Sequence, residues 1–143
     1  VDGNTRSAMT LHSNLGITFD LSAIRQTVPG LQIKAFSALF GVSRTANQWL
    51  ASKDFSGEVN RPGVSQLAAA REAAAEFWVF LDGRKVLQKT VSSSSKAASL
   101  NIPIDKNVRF LTLAVTEGDD TFMFDWSLFA DPKLILESAA SRQ

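Results

Sequence analysis

The chain has 143 residues, of which 45% are hydrophobic and 20% charged, and this length and composition are typical of one globular domain. Its net charge of +1 argues against a nucleic-acid-binding domain, and it has no apolar run long enough to span a membrane. Cysteine is absent and histidine occurs once, as His12, so disulfides, thiolate metal ligands and sites that need two imidazoles are excluded.

The first third of the chain predicts two strands separated by a helical turn. Residues 17–21 alternate apolar and polar side chains, as a half-buried strand does. Residues 21–27 favour one helical turn, with Asp20 or Ser22 as its N-cap. Residues 31–42 form a long apolar stretch, which predicts a strand that is covered on both faces.

The middle of the chain combines an irregular segment with the strongest helix pattern. Residues 43–64 carry little periodicity and predict a long loop. Residues 65–75 are rich in alanine and begin with a serine suited to an N-cap, so they predict a short helix on a sheet edge. The apolar run 77–81 predicts a strand, and Asp82-Gly83 predicts the tight turn of a hairpin that leads into a strand at 84–91.

Three further strands complete the pattern. Residues 100–104, 108–116 and 121–129 are strand-like and are separated by turn-forming residues. Short strands with regular turns and one or two short helices predict an all-β fold, an antiparallel β-sandwich, with a closed barrel as the alternative. A parallel α/β fold would require several crossover helices. The domain is expected to cover residues 1–136, with a flexible tail at 137–143.

The residue patterns that would carry catalysis are weak. His12 lies beside a serine, but the sequence has no Gly-x-Ser-x-Gly elbow. Asp119 and Asp120 lie in a predicted turn, where aspartate commonly bonds the local backbone, and their spacing from Asp125 does not fit an EF-hand calcium loop. No phosphate-binding glycine loop occurs. We therefore expect that the chain is not an enzyme, and a stand-alone hydrolase is the weakest of three hypotheses.

The three tryptophans are the other candidate functional residues. Trp78 lies in an apolar strand and is expected in the core. Trp49 lies in the long loop beside two amide side chains, so it is either a binding platform or a plug over the core. Trp126 shares a predicted strand face with Phe122 and Phe124, which favours core packing and leaves ligand contact as the alternative.

Five segments, in this order along the chain, resemble the NPCBM family of carbohydrate-binding modules. They are LHSNLGITFDL at residues 11–21, FSALFGV at 36–42, FWVFLDG at 77–83, LTLAVT at 111–116 and DWSLFADPKL at 125–134. The resemblance implies a jelly-roll-like β-sandwich that binds a glycan, catalyses no reaction and requires no cofactor. It also implies a secreted, periplasmic or cell-surface location, covalent linkage to further domains and, in some relatives, a bound calcium ion (Ca²⁺) that supports the fold.

For a carbohydrate-binding module, the candidate ligand-binding residues lie in loops at one end of the sandwich: His12, Asn14, Trp49, Asp125 and Trp126. His12 matches the histidine of a family Gly-x-His pattern, with Thr10 in place of the glycine. Trp126 and Phe129 replace a histidine and a tryptophan of the family's last motif. Because of these replacements, a structural or protein-interaction domain without glycan binding is the second hypothesis.

Overall fold

The computed structural model describes residues 7–43, 74–118 and 127–139. Within these ranges the chain forms eight strands and one helix. They are β1 (Ala8–Leu11), β2 (Leu15–Asp20), α1 (Leu21–Thr27), β3 (Leu31–Val42), β4 (Ala74–Leu81), β5 (Arg84–Ser92), β6 (Ala98–Pro103), β7 (Phe110–Glu117) and β8 (Ser127–Ser138). Most of the predicted helix at 65–75 and of the predicted strand at 121–129 lies outside the described residues. In the described part of the chain, no helix has the length and hydropathy that a membrane crossing requires.

The described strands form two four-stranded sheets. The strand order is β1-β8-β3-β6 in the first sheet and β2-β7-β4-β5 in the second sheet, and every pairing among these strands is antiparallel. The chain crosses repeatedly between the two layers, and this strand order is that of a jelly roll. The predicted antiparallel β-sandwich is confirmed. The barrel alternative is wrong, because no described strand of one sheet pairs with a strand of the other.

The core lies between the inner faces of the two sheets. Its centre is a cluster of three fully buried rings: Phe40 of β3, Phe77 of β4 and Phe129 of β8. The ring centroids of Phe40 and Phe77 are 4.5 Å apart, and those of Phe77 and Phe129 are 5.4 Å apart with the rings edge to face. Because Phe77 belongs to the second sheet and the other two rings to the first, this cluster joins the two layers.

Strand β4 places Trp78 on the outer face of the second sheet. Phe77 and Val79 point inward and are fully buried, whereas Trp78 is half-buried and its indole Nε1 donates a hydrogen bond to Thr116 Oγ1 at 2.9 Å. The prediction that Trp78 lies in the core is therefore wrong. Alternate residues of a strand face opposite sides, and an uninterrupted apolar run does not indicate which set faces the core.

The alanine-rich segment ends in a strand. Ala74 and Ala75 are the first residues of β4, so the predicted helix at 65–75 is wrong at its C-terminal end. Ala75 is completely buried and pairs with both Val91 and Glu117. Pairing with two neighbouring strands overrides the high helix propensity of alanine.

The predicted tail at 137–143 is wrong at its first three residues, and residues 140–143 lie outside the described part of the chain. The Ala139 N–H donates to the carbonyl oxygen of Gly30 at 2.8 Å. Glu137 and Ser138 continue β8, and Glu137 pairs with Gln32 of β3. The Glu137 carboxylate also lies 3.4 Å from Lys34 Nζ. The sequence conceals this extension because both residues are polar, while the strand pairing is made by their backbone groups.

The N-cap of helix α1 is Asp20, one of the two residues predicted for this position. The side chain of Asp20 accepts hydrogen bonds from the backbone N–H groups of Ser22 at 2.9 Å and Ala23 at 3.1 Å. Its Oδ2 also lies 3.3 Å from Arg109 Nη2. The hydrogen bond from Ala23, with further contributions from Arg109 and Ser22, lowers the pKa of Asp20.

We expect the variant Asp20→Asn to weaken the pH dependence of stability. A carboxyl group with a lowered pKa stabilises the folded state above the pKa of an unfolded aspartate, about 3.9, and this stabilisation is lost as the pH falls through the folded-state pKa. Urea unfolding should show a steeper loss of stability between about pH 5 and about pH 3 in the wild type than in the variant. Identical slopes in the two proteins would contradict this role of Asp20.

The hairpin between β4 and β5 turns at Asp82 and Gly83, as predicted. Both residues have positive φ angles, 49° and 77°. The Asp82 carboxylate also accepts hydrogen bonds from the backbone N–H groups of Arg109 at 3.0 Å and Phe110 at 2.7 Å. Asp82 thus connects the hairpin to the start of β7.

The variant Asp82→Ala is expected to lower the free energy of unfolding by about 2 kcal/mol, because it removes both acceptor contacts and places an alanine at a positive φ. Asp82→Asn retains an acceptor oxygen and tolerates this φ, so its expected loss is less than about 1 kcal/mol. Urea unfolding of the two variants measures the difference. Equal losses would indicate that the Asp82 oxygens do not stabilise β7.

Candidate functional site

Both sheets present strand ends and polar connections at one end of the sandwich. Leu11 pairs with Ser127 in the first sheet, and Leu15 pairs with Val115 in the second. Residues 12–14, which join β1 to β2, bring these two strand ends together. We call this end, formed by residues 10–15, 42–43, 117–118 and 127–128, the loop end. The described residues that flank segments 44–73 and 119–126 lie at or beside this end.

His12 lies at the loop end with an exposed side chain. Its Nδ1 lies 3.4 Å from the carbonyl oxygen of Ser13. It lines a depression of about 410 Å³ together with Thr10, Leu11, Ser43, Ser127 and Leu128. This volume falls within the range of small-molecule sites, about 300 to 1,000 Å³. The lining is mostly apolar, and the exposed imidazole of His12 and hydroxyl of Thr10 provide hydrogen-bond donors and acceptors for a polar ligand.

Asn14 is held in the short connection between the sheets. Its φ is 63°, a left-handed conformation that asparagine tolerates better than most residues. Its backbone N–H donates to the carbonyl oxygen of Val115 at 2.8 Å, and its Nδ2 donates to Glu117 Oε1 at 3.0 Å. Asn14 therefore shapes the loop end and presents a polar pair there with Glu117.

Two of the five predicted site residues, His12 and Asn14, lie in one three-residue connection at the loop end, and of these two His12 lines the depression. Trp49, Asp125 and Trp126 lie outside the described residues, so the convergence of all five stays a prediction.

Sequence reasoning missed several polar residues of the loop end, of which Glu117, Ser43 and Thr10 are examples. Thr10 was noted only as a departure from a motif, although it lines the same depression as His12. Glu117 is 103 residues from its partner Asn14, and no local pattern connects the two. The one available signal is position, because each of these residues lies at or beside the end of a strand.

The described side chains do not fit a metal site. Across residues 7–43, 74–118 and 127–139, no three His, Asp or Glu side chains form a group that could hold a metal ion. The carboxylate of Glu117, at the loop end, is hydrogen-bonded to Asn14. Calcium thus stays a prediction from the family resemblance, and thermal unfolding in CaCl₂ against EDTA would test it.

Comparison with known proteins identifies the family. The profile of the NPCBM/NEW2 domain matches residues 21–135 of the 143-residue chain. The chain belongs to the NPCBM/NEW2 domain family. The matched region includes all of the core strands from β3 to β7, whereas His12 and Asn14 precede it. No curated protein sequence matches this NPCBM/NEW2 domain.

Solved structures with a similar fold are CBM51 modules. CBM51 of Clostridium perfringens GH95, in complex with methyl-galactose, has a TM-score of 0.63 and 20% identity, and the match covers 90% of this chain and 70% of that one. The structure of the M60 catalytic domain with two CBM51 domains of C. perfringens ZmpB has a TM-score of 0.63 and 21% identity. That match covers 90% of this chain and 10% of the ZmpB chain. The tandem CBM51 modules of a Streptococcus pneumoniae family 98 glycoside hydrolase have a TM-score of 0.59 and 16% identity. That match covers 95% of this chain and 33% of the hydrolase chain.

These similarities support the NPCBM/NEW2 assignment in two ways. The TM-scores establish a shared β-sandwich fold, and the family match confirms the predicted membership in a family of carbohydrate-binding modules. The domain spans only a tenth and a third of the two larger neighbours, each of which contains further domains or modules.

Proposed function

We propose that this NPCBM/NEW2 domain binds a glycan at the loop end and catalyses no reaction. The observation that carries the proposal is the exposed His12 in a depression that Thr10, Leu11 and Leu128 also line. Two structural neighbours support it, since one CBM51 was solved with methyl-galactose and another, CBM51-2 of ZmpB, with GlcNAc. The larger neighbours also support a module that is linked to other domains in an exported protein.

The chemistry of the loop end suits a sugar. Sugar hydroxyls both donate and accept hydrogen bonds, as do the imidazole of His12 and the hydroxyl of Thr10. Leu11 and Leu128 line the same depression and offer apolar contact to the C–H groups of a pyranose. A single sugar makes few contacts to offset the translational and rotational entropy that it loses on binding, so it should bind with a Kd of about 0.1 to 1 mM.

Titration of the domain with methyl-galactose and with GlcNAc, followed by calorimetry and by amide chemical shifts, tests this function. We expect His12→Ala to weaken binding about tenfold, which corresponds to about 1.4 kcal/mol and to a residue among the few that carry most of the binding energy of a site. Lys106→Ala, in an exposed turn far from the loop end, is the matched control and should bind like the wild type. Unchanged binding in His12→Ala, or shifts that avoid residues 10–14, would contradict the proposed site.

Asn14 allows a second variant that separates ligand contact from loop conformation. Asn14→Gly retains the positive φ and removes the amide, whereas Asn14→Ala also strains the backbone. If the amide contacts the glycan, both variants should bind weakly. If only the shape of the connection matters, Asn14→Gly should bind like the wild type and Asn14→Ala should not.

A protein-interaction function has one observation in its favour. Leu31 and Leu136 are exposed on the same face where β3 and β8 pair, at the end of the sandwich opposite the loop end. Exposed aliphatic side chains that cluster in this way are typical of protein contacts. Concentration-dependent sedimentation of the domain and of a Leu136→Lys variant tests it, because a functional contact predicts association of the wild type alone.

A further inference from the structure

The outer face of the second sheet carries two aromatic rings beside each other. Trp78 and Phe80 project from β4 on the side away from the core, and both are half-buried. Their ring planes are parallel within 6°, and their centroids are 6.2 Å apart. Large flat apolar rings grouped on a solvent-facing sheet are a feature of ligand-binding surfaces.

Hydrogen bonds hold the indole of Trp78 in one orientation. Its Nε1 donates to Thr116 Oγ1 at 2.9 Å, and that hydroxyl donates to Glu76 Oε2 at 3.3 Å. The second oxygen of Glu76 accepts from Gln88 Nε2 at 2.7 Å. The ring is thus surrounded by a hydroxyl, a carboxylate and an amide whose positions are set before any ligand arrives, which reduces the entropic cost of binding.

Small residues leave a trough next to this ring. Trp78 pairs with Ala114 of β7, and Ala114 pairs with Gly16 of β2, so the row that crosses the sheet from Trp78 is almost without side chains. The rows on either side are taller: Phe80 and Thr112 on one side, Glu76 and Thr116 on the other. Since these rows are four residues apart along the strands, they are separated by about 13 Å. We call this depression the Trp78 trough.

Lys85 partly covers the ring. Its Nζ lies 4.9 Å from the centroid of the Trp78 ring and donates to Gln88 Oε1 at 2.5 Å. The side chain is exposed and long, so it can swing aside at small cost. Its positive charge and the negative charge of Glu76 cancel beside the ring.

We infer that the Trp78 trough is a second glycan-binding surface, separate from the loop end, that takes a neutral oligosaccharide. The C–H face of a pyranose stacks on Trp78 after Lys85 moves away, and the sugar hydroxyls bond to Glu76, Gln88 and Thr116. The balanced charges of Glu76 and Lys85 favour a neutral chain over an acidic or basic one. The apolar surface is limited to flat rings and small residues, which suits stacked sugars better than the aliphatic side chains of a protein partner.

Titration with linear oligosaccharides of galactose and of GlcNAc, with methyl-galactose as the single-sugar probe, tests this inference. We expect the oligosaccharide to shift the amide signals of 76–80 and 112–116. Trp78→Ala and Ala114→Gln should each weaken its binding about tenfold, the first by removing the stacking ring and the second by filling the trough. Lys85→Ala should strengthen it about two- to five-fold, because the cation–π contact no longer competes. Asn101→Ala, exposed on the outer face of the first sheet, is the matched control.

Each alternative result has a defined meaning. Lys85→Ala changes an exposed side chain and leaves the hydrogen bond from Trp78 to Thr116 in place, so the inference stays testable if Trp78→Ala does not fold. Oligosaccharide shifts that are confined to residues 10–14 and 127–128, with full binding by Ala114→Gln, would overturn the second surface and leave the loop-end function standing. No shift with either oligosaccharide would overturn it as well. So would binding of a glycoprotein through the trough that persists after its sugars are removed, because that result assigns the trough to a protein partner.

Discussion

The variant Phe77→Ala should lose about 3 to 5 kcal/mol of the free energy of unfolding, the typical result of truncating a fully buried phenylalanine. Phe77 has no exposed surface, and its ring contacts Phe40 and Phe129, which lie in the opposite sheet. Removing the ring leaves a cavity between the two layers, and the paired strands on both sides limit how far the structure can close it. The variant therefore tests whether this aromatic cluster holds the sandwich together.

Urea unfolding at constant temperature measures this loss, with the slope of the transition as a check that both proteins unfold in one step. Phe80→Ala is the matched control, since Phe80 lies on the same strand but on the half-buried outer face. Its expected loss is less than half that of Phe77→Ala. Equal losses for the two variants would mean that the inner cluster is no more important than the outer face.

The second large effect is expected at Gly118, which follows β7. A Cβ atom at this position would lie 2.8 Å from the carbonyl carbon of Ala74 and 2.8 Å from the backbone nitrogen of Ala75. These are backbone atoms of the adjacent strand β4, so no flexible side chain can move to relieve the contact. The Gly118 N–H also donates to the carbonyl oxygen of Ala74 at 3.2 Å. We expect Gly118→Ala to lower the free energy of unfolding by about 2 to 3 kcal/mol.

A matched control for this variant is Gly41→Ala in β3. A Cβ atom at Gly41 would lie 3.5 Å from the Cβ and 3.6 Å from the Cα of Ala97, which are ordinary van der Waals distances, so this substitution should be close to neutral. Differential scanning calorimetry of both variants measures the contrast. A stable Gly118→Ala protein would show that β4 and β7 can separate at this point, and the close approach of the two backbones would then be without energetic consequence.

The elements that the sequence predicts well are those encoded within a few neighbouring residues. Asp20 caps α1 because its carboxylate reaches N–H groups two and three residues away. Asp82 and Gly83 turn the hairpin because both tolerate positive φ. The alternation along β2 and the ordered family segments likewise need no knowledge of distant contacts, and they led to the right fold and family.

The candidate site was predicted less completely because its members come from different strands. A motif predicts His12 as a site residue, and the structure places it in a depression at the loop end. Glu117, which accepts from Asn14, had no sequence signal because its partner is 103 residues away. Trp49, Asp125 and Trp126 stay predictions.

The sequence alone determined the β-sandwich class, the capped helical turn, the tight hairpin and the family, since short-range sterics and the alternation of side chains specify them. Only the tertiary structure decided that Trp78 faces outward, that Ala74 and Ala75 extend a strand, and that Gly16 and Ala114 lie in a row beside the indole. The physical reason is that each of these outcomes depends on which distant strand supplies the neighbouring backbone. In a strand that is apolar on both faces, or that carries only small side chains, the neighbouring strand determines which side chains face the core.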